Sequence, residues 1–291
     1  MKEGTVVARQ SNAEIPSKKA RWMYGQNDLM MKLARLFRYR MRLFDSVVSD
    51  VRQRYGGSIL GVAWVAVFPV MQLAIYAGLY AFIFKVQPQN LSRESYVILL
   101  FSGMVPLMAF NEALTSATSS LSANRALLLN TVFPAELIPI RAVLSAQVSS
   151  LVALTVTLLS GAIFGGVNWK SVLLVPVLWG SLLMFVGGIG WILSLVSLVV
   201  RDIQHGLGLV LMVLFVLSPF AYTPEMVPSA MKFIIYLNPM SYFVFCFQAL
   251  ICYGEFPLPG YLAVVFGMAL TSFLGGFWIF QRIKNVFYDY A

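Results

Sequence analysis

Long apolar stretches separated by short polar segments dominate the chain. Six of these stretches are long enough to cross a bilayer, since about 20 mostly apolar residues are needed. They are residues 59–84, 96–121, 138–164, 171–200, 206–222 and 261–281. The pattern predicts an all-α integral membrane protein with six transmembrane helices, contained in residues 58–291.

A seventh apolar region, 229–253, is too interrupted for a simple span. Asn238-Pro239 breaks it, and it also carries Ser241, Gln248 and two cysteines. Irregular backbone at membrane depth is tolerated only where protein or water surrounds it. We therefore interpret this region as a pair of short re-entrant helices before the sixth span.

Segment 29–57 has a different, amphipathic pattern. Its apolar residues recur every three or four positions and are Leu33, Phe37, Met41, Phe44, Val48 and Val51. Its polar face is Arg35, Arg38, Arg42, Asp45, Ser49 and Arg52. This spacing predicts an interface helix in the headgroup plane, ended by Gly56-Gly57. Its basic face is either a topological anchor alone, or also captures an anionic lipid-linked substrate or a partner through Arg35, Arg38 and Arg42.

Composition supports the membrane assignment. Hydrophobic residues make up 59% of the chain, charged residues 11%, and the mean hydropathy is +0.78. Soluble domains are about 25% charged. The net charge of +9 is concentrated before the first span, which favours a membrane surface over nucleic acid.

The distribution of Lys and Arg around the spans predicts the orientation. Twelve lie on the side of the N-terminus, whereas the opposite side has four: Lys85, Arg93, Lys170 and Lys232. The positive-inside rule then places both termini in the cytoplasm. Residues 1–28 lack the apolar core of a secretory signal and are predicted to be a mobile cytoplasmic tail.

Catalytic and metal-binding patterns are missing from the sequence. Cys246, Cys252 and the single His205 do not have the spacing of a metal site, so we predict two free, buried thiols and no metal. The dipeptide Gly-Lys does not occur, so the chain has no phosphate-binding loop for ATP. We therefore predict that it has no catalytic residue of its own.

Glu112 is an acid within the second span, in the polar stretch AFNEALTSATSSLS. An unpaired charge at the centre of a membrane helix costs about 2.5–3.5 kcal/mol. One interpretation is a buried structural hydrogen bond or an interfacial position, and the other is a role in transport.

Aromatic residues in the first span suggest a second candidate site. Trp64, Phe68, Tyr76 and Tyr80 share roughly one helical face. They either pack against lipid and neighbouring helices, or they line a channel on which sugar rings stack their C–H faces.

The proline-bracketed segment LLLNTVFPAELIP, residues 127–139, lies on the cytoplasmic side between the second and third spans. Its apolar residues are too few to span a bilayer and too many for a solvated loop. It is either a surface loop ended by prolines or a short element that docks against a partner.

Four motifs together resemble the permease subunit of type-2 ABC exporters of capsule, O-antigen and teichoic acid. They are DVRQRYGGSILGVAW, FSGMVPLMAFNEAL, TVFPAELIPI and LNPMSYF. The resemblance covers nearly the whole chain from about residue 29. It implies a homodimer in the bacterial inner membrane that works with two copies of a separate ATPase, which would bind the ATP and Mg, whereas this chain carries no cofactor.

The resemblance also implies roles for individual residues. The segment 127–139 would be the coupling helix that sits in a cleft of the ATPase. The turn RDIQH, residues 201–205, is either a topological anchor or a contact loop, and as a contact loop it would add Arg201 and Asp202 to the ATPase contact. The coupling residues in the segment are Leu128, Val132, Phe133, Pro134 and Glu136, with Glu136 as a polar anchor.

The function expected from these features is export of a lipid-linked polysaccharide, first capsular polysaccharide and second O-antigen. Membrane lipid is a further expected partner, and periplasmic export proteins are additional candidate partners. A type-2 exporter of drugs or other small molecules would share the fold. Two further alternatives are a lipid-modifying enzyme, which would need an acid/base or metal cluster, and a proton-coupled carrier, which would need paired ionisable groups or an inverted repeat. The sequence shows none of these features.

Overall fold

A computed structural model describes residues 39–84, 91–124, 134–164, 167–200 and 202–287, and all regular structure in these ranges is helical. Residues from Leu43 onward form one compact unit. Five helical stretches in the described residues are long and apolar enough to cross a membrane. They are Gly61–Ile83, Arg93–Ala123, Leu137–Phe164, Trp169–Val199 and Pro259–Lys284. These match five of the six predicted spans.

The first described helix, α1 (Arg40–Tyr55), corresponds to the predicted interface helix. None of its residues is buried, and Phe44 on its apolar side is 64% exposed. The helix ends before Gly57, whose φ of +81° is costly for residues with a side chain. The predicted start of this helix at residue 29 and the tail 1–28 lie outside the described residues.

The first span combines three helical geometries. A 3₁₀ turn at Gly61–Ala63 leads into α2 (Trp64–Ala77), which continues as a π-helix through Gly78–Ile83. Wider helical turns of this kind are rare and occur frequently at functional sites. Tyr80, one of the predicted channel residues, lies within this turn.

Four long helices form the core: α3 (Arg93–Ala123), α4 (Leu137–Phe164), α6 (Val175–Val199) and α10 (Pro259–Phe287). The short helix α5 (Trp169–Val172) precedes α6. Helix α3 packs against both α4 and α6, and α6 packs along α10. A Cβ atom added at Gly276 would overlap the carbonyl oxygen of Gly188, so these two backbones touch. Small residues permit such close approach between membrane helices.

The fifth predicted span, 206–222, was placed too far toward the C-terminus. It corresponds to α7 (Ile203–Leu217), which has 15 residues, or about 22 Å of helix. The helix ends at Ser218, whose extended conformation (ψ 138°) is the one favoured before a proline, here Pro219. Leu209 and Met212 of α7 are 69% and 65% exposed, as expected for apolar side chains that face lipid or another chain.

The predicted break at Asn238-Pro239 is confirmed. The 3₁₀ turn Ser229–Met231 and α8 (Lys232–Leu237) meet α9 (Pro239–Ile251) at 94°. The Asn238 side chain accepts a 2.9 Å hydrogen bond from the Met240 N–H and donates to the Leu214 carbonyl at 3.0 Å and to Ser218 Oγ at 2.8 Å. The bend is therefore fastened to the end of α7. On α9 and just after it, Cys246 and Cys252 are free and buried, as predicted.

Candidate functional site

The described end of the predicted coupling segment, residues 134–139, is built into the protein core. Glu136 is 7% exposed, and Ala135, Leu137 and Ile138 are buried around it. The Glu136 carboxylate accepts a hydrogen bond at Oε2 from Lys284 Nζ of α10 at 3.0 Å. The side chain predicted to be a polar anchor therefore has an internal partner on the last helix.

The backbone of Glu136 has a second anchor. Trp191 Nε1–H, on α6, donates a 2.9 Å hydrogen bond to the Glu136 carbonyl. The Trp191 side chain is fully buried, and its ring centroid lies 5.0 Å from that of Phe273 and 5.1 Å from that of Phe277, both on α10. Glu136 is thus connected to α6 and α10 together.

The electrostatic environment keeps Glu136 ionised. Burial raises the pKa of this carboxyl, but the Lys284 ammonium and a hydrogen bond from the backbone N–H of Glu136 outweigh burial. The net effect is a pKa below the usual range for glutamate. The ion pair with Lys284 is therefore intact at neutral pH.

The other predicted coupling residues are only partly within the described ranges. Leu128, Val132, Phe133 and Arg201 lie outside them. Pro134 is half-buried, and Asp202 is exposed at the start of α7, where its carbonyl accepts hydrogen bonds from the His205 and Gly206 N–H groups at 3.1 and 3.0 Å. Contact between these residues and an ATPase stays a prediction.

A polar cleft of about 370 Å³ lies between α1, α3 and α4. Arg54 Nη1 donates to Glu112 Oε1 at 2.9 Å, and Arg141 Nε lies 2.9 Å from Asp50 Oδ2. Arg141 also donates to Asn124 Oδ1 at 3.0 Å. Glu112 thus has a structural partner, which favours the first of its two interpretations. The sequence analysis did not identify this cluster of charged residues. The available signal was the i, i+4 spacing of Asp50 and Arg54, which puts both on one face of α1.

Of the three predicted head-group capture residues, only Arg42 lies within the described ranges. Arg35 and Arg38 lie outside them. Arg42 is exposed on α1, and its guanidinium carbon lies 5.5 Å from the centroid of the Tyr39 ring. Such stacking leaves the edge N–H groups of the guanidinium open to an anionic group.

An aromatic cavity of about 420 Å³ lies between the first span and α7. Tyr76 and Tyr80 stack with ring centroids 6.3 Å apart and planes 8° from parallel, and both meet Phe220 edge-on at 6.1 and 5.8 Å. The lining residues are Tyr76, Tyr80, Phe215, Val216, Phe220, Ala221, Tyr222, Met226 and Val227.

Two of the four predicted channel residues lie in this cavity and two do not. Trp64 is at the start of α2, where its Nε1–H donates to Ser58 Oγ at 3.0 Å, and Phe68 is 62% exposed. Sequence reasoning did not find Phe215, Phe220 and Tyr222. They are far from α2 along the chain, and local periodicity carries no information about which helices meet.

Comparison with known proteins gives consistent matches over most of the chain. A family model described as ABC-2 type transporter matches residues 46–252. A curated relative from Klebsiella pneumoniae, named O-antigen export system permease protein RfbA, is 26% identical over 252 residues, which cover 84% of this chain and 94% of the relative. A relative of the same name from Myxococcus xanthus is 28% identical over 224 residues, covering 76% of this chain and 84% of the relative.

Proposed function

The chain belongs to the ABC-2 type transporter family, and on that basis we propose that it is the membrane subunit of an ATP-driven exporter of lipid-linked cell-surface polysaccharide. The aromatic cavity is the observation that carries the substrate class. Its parallel tyrosine rings offer flat apolar surfaces for the C–H faces of sugars, and their hydroxyls offer hydrogen bonds. Its volume is within the range of small-molecule binding sites.

O-antigen is the polysaccharide favoured by the names of the relatives, which are O-antigen export permeases. Capsular polysaccharide, the first expectation from the sequence, becomes the alternative. Both are polymers that travel with a lipid anchor, so the same cavity and the same basic interface helix would serve either one.

In the proposed mechanism, a separate ATPase supplies the energy and this chain provides the path for the sugar. Two copies of the chain lie in the bacterial inner membrane with both termini in the cytoplasm, and two copies of a separate ATPase bind ATP and Mg below them. The ATPase moves the coupling segment 127–139. Arg35, Arg38 and Arg42 attract the anionic head group, the acyl tail stays beside lipid, and the polymer passes along the tyrosine rings.

A type-2 exporter of drugs or other small molecules is the second candidate, and it is favoured by the apolar character of the cavity walls. Its substrate would bind in the same place. The two candidates differ in what accompanies the purified protein, because a polysaccharide exporter should retain glycolipid.

The test is a gene deletion combined with purification. Deletion of the gene should remove a long polysaccharide from the cell surface, and the full-length chain should restore it. Mass spectrometry of the protein purified in mild detergent should detect a lipid-linked glycan. An unchanged surface polysaccharide in the deletion strain would contradict the proposal, and increased drug sensitivity would support the second candidate.

A further inference from the structure

Glu136 is the point where the coupling segment meets two membrane helices at once. Its carboxylate is held by Lys284 of α10 at 3.0 Å, and its carbonyl is held by Trp191 of α6 at 2.9 Å. The side chains of Glu136 and Lys284 are only 9% and 21% exposed. Neither contact belongs to the aromatic cavity or to the polar cleft beside α1.

The two helices that hold Glu136 are tightly joined to each other. Gly188 of α6 and Gly276 of α10 touch through their backbones, and Ser272 Oγ of α10 donates a 2.8 Å hydrogen bond to the Phe185 carbonyl of α6. Close-packed interiors deform little and pass displacement on to their neighbours. A force applied to Glu136 therefore acts on α6 and α10 as one body.

We propose that Lys284 and Trp191 are positioning residues that clamp the end of the coupling segment at Glu136 to the α6–α10 pair, so that displacement of the segment moves both helices together. This inference rests on the proposed function, because it assumes that an ATPase displaces the segment. It gives Glu136 an inward mechanical role in place of the outward contact expected from the sequence.

The Glu136–Lys284 ion pair fixes the end of the coupling segment in one position relative to α10. Removing one partner of a largely buried ion pair leaves the other charge without compensation, so a single substitution breaks the link from Glu136 to α10 while the Trp191 hydrogen bond to the Glu136 carbonyl on α6 remains. Reversing both charges recreates an attractive pair between the same two positions. A purely local structural role would show as a loss of folded protein, whereas a clamp shows as a loss of coupling in protein that stays folded and assembled.

The experiment uses the full-length chain with the ATPase that copurifies with it, and compares Lys284→Met and Glu136→Gln with the parent protein. Three quantities are measured: the ATPase retained after affinity purification, the rate of ATP hydrolysis, and the surface polysaccharide of cells. We expect the first two to stay near the parent values and the polysaccharide to fall by about tenfold, the usual scale of coupling between sites.

Rescue and control variants make this outcome specific. Lys284→Arg and the double variant Glu136→Lys with Lys284→Glu should recover export. Arg282→Met removes the same charge from the same helix, where Arg282 lies over the Trp278 ring at 5.2 Å, and should export normally. Normal export by both single variants, or loss of the bound ATPase together with export, would overturn the clamp.

A measurement on the purified permease alone keeps the clamp testable apart from the exporter function. In Lys284→Met, exchange of the backbone amide hydrogens of residues 135–138 and of the C-terminal end of α10 should accelerate, with α3 unchanged. Unchanged exchange in residues 135–138 would overturn the clamp. If the parent chain brings down no ATPase, the proposed function fails, while the exchange result still decides whether the clamp exists.

Discussion

The guanidinium Nη1 of Arg54 lies 2.9 Å from Oε1 of Glu112, so a cation at the end of α1 neutralises an acid inside the second span. One turn earlier on the same helix, Asp50 pairs with Arg141 of α4. Helix α1 therefore supplies the cation of an ion pair with α3 and the anion of an ion pair with α4. The contact with Arg54 explains how an acid is tolerated within a helix that has the length and composition of a membrane span.

We expect Arg54 and Glu112 to be coupled by about 1 kcal/mol in a double-mutant cycle of Arg54→Met and Glu112→Gln. The value is modest because the two side chains are 36% and 34% exposed, and partly exposed ion pairs contribute little. Thermal unfolding in detergent measures the cycle. Arg52→Met, on the exposed side of the same helical turn, is the control and should change stability little. Additive single effects would show that the pair contributes nothing.

The Glu136–Lys284 pair should make stability depend on pH. The pKa of Glu136 is lower in the folded protein than its usual value of about 4.3. Its contribution is therefore complete above the usual value and is lost as the pH falls through the folded value. The difference in unfolding temperature between the parent and Glu136→Gln should be largest near neutral pH and shrink in acid. A difference that is constant across this range would contradict the assignment.

Removing a ring from the aromatic cavity should reduce export. Each aromatic contact is worth about 0.5–1.5 kcal/mol, so Tyr80→Ala should lower polymer export by up to about tenfold. Tyr80→Phe, which keeps the ring and removes the hydroxyl, should lose less. Phe68→Ala is the informative comparison, because this exposed ring lies outside the cavity and should have the smaller effect. Surface polysaccharide at matched protein levels is the measurement.

Replacing Arg35, Arg38 and Arg42 together by Gln should weaken capture of an anionic head group. Each basic residue near an anionic surface is worth about 1 kcal/mol, which gives roughly a hundredfold loss of affinity if the contributions add. Helix propensity hardly changes, because Arg and Gln rank alike. Export should fall while membrane insertion and ATPase binding persist. Normal export would identify these arginines as a topological anchor.

Phe133→Ala should weaken binding of the ATPase. This ring is the largest apolar side chain in the sequence LLLNTVFPAELIP, which makes it the candidate anchor of the contact. Truncating a hot-spot anchor at an interface costs about 2 kcal/mol or more. Copurification of the ATPase with the tagged chain is the measurement. Glu136→Gln, by contrast, should keep the ATPase bound, so the two variants distinguish ATPase binding from the internal contact of Glu136.

The sequence predicts the membrane helices well, because length and apolar character determine whether a helix can span. It also predicts the bend at Asn238-Pro239, where proline chemistry acts locally. The error at the end of the fifth span has a local cause too, since Pro219 ends α7 at Ser218. A stricter application of the same proline rule would have found it.

Contacts between distant parts of the chain were not predictable in this way. Whether Arg54 faces Glu112, or Lys284 faces Glu136, depends on which helices lie side by side and at what height. The same limit explains why Tyr76 was predicted as a channel residue while its neighbour Phe220 was missed. Periodicity reports the faces of one helix, and it does not report the helix that covers each face.

The backbone contact between Gly188 and Gly276 has a consequence for the biosynthesis of the protein. The two glycines are separated by 88 positions in the chain, so at about 5–20 residues per second α6 leaves the ribosome roughly 4–18 s before its partner is made. During that interval the glycine surface of α6 faces lipid or the insertion machinery. The native packing of α6 is therefore completed only when the last helix arrives.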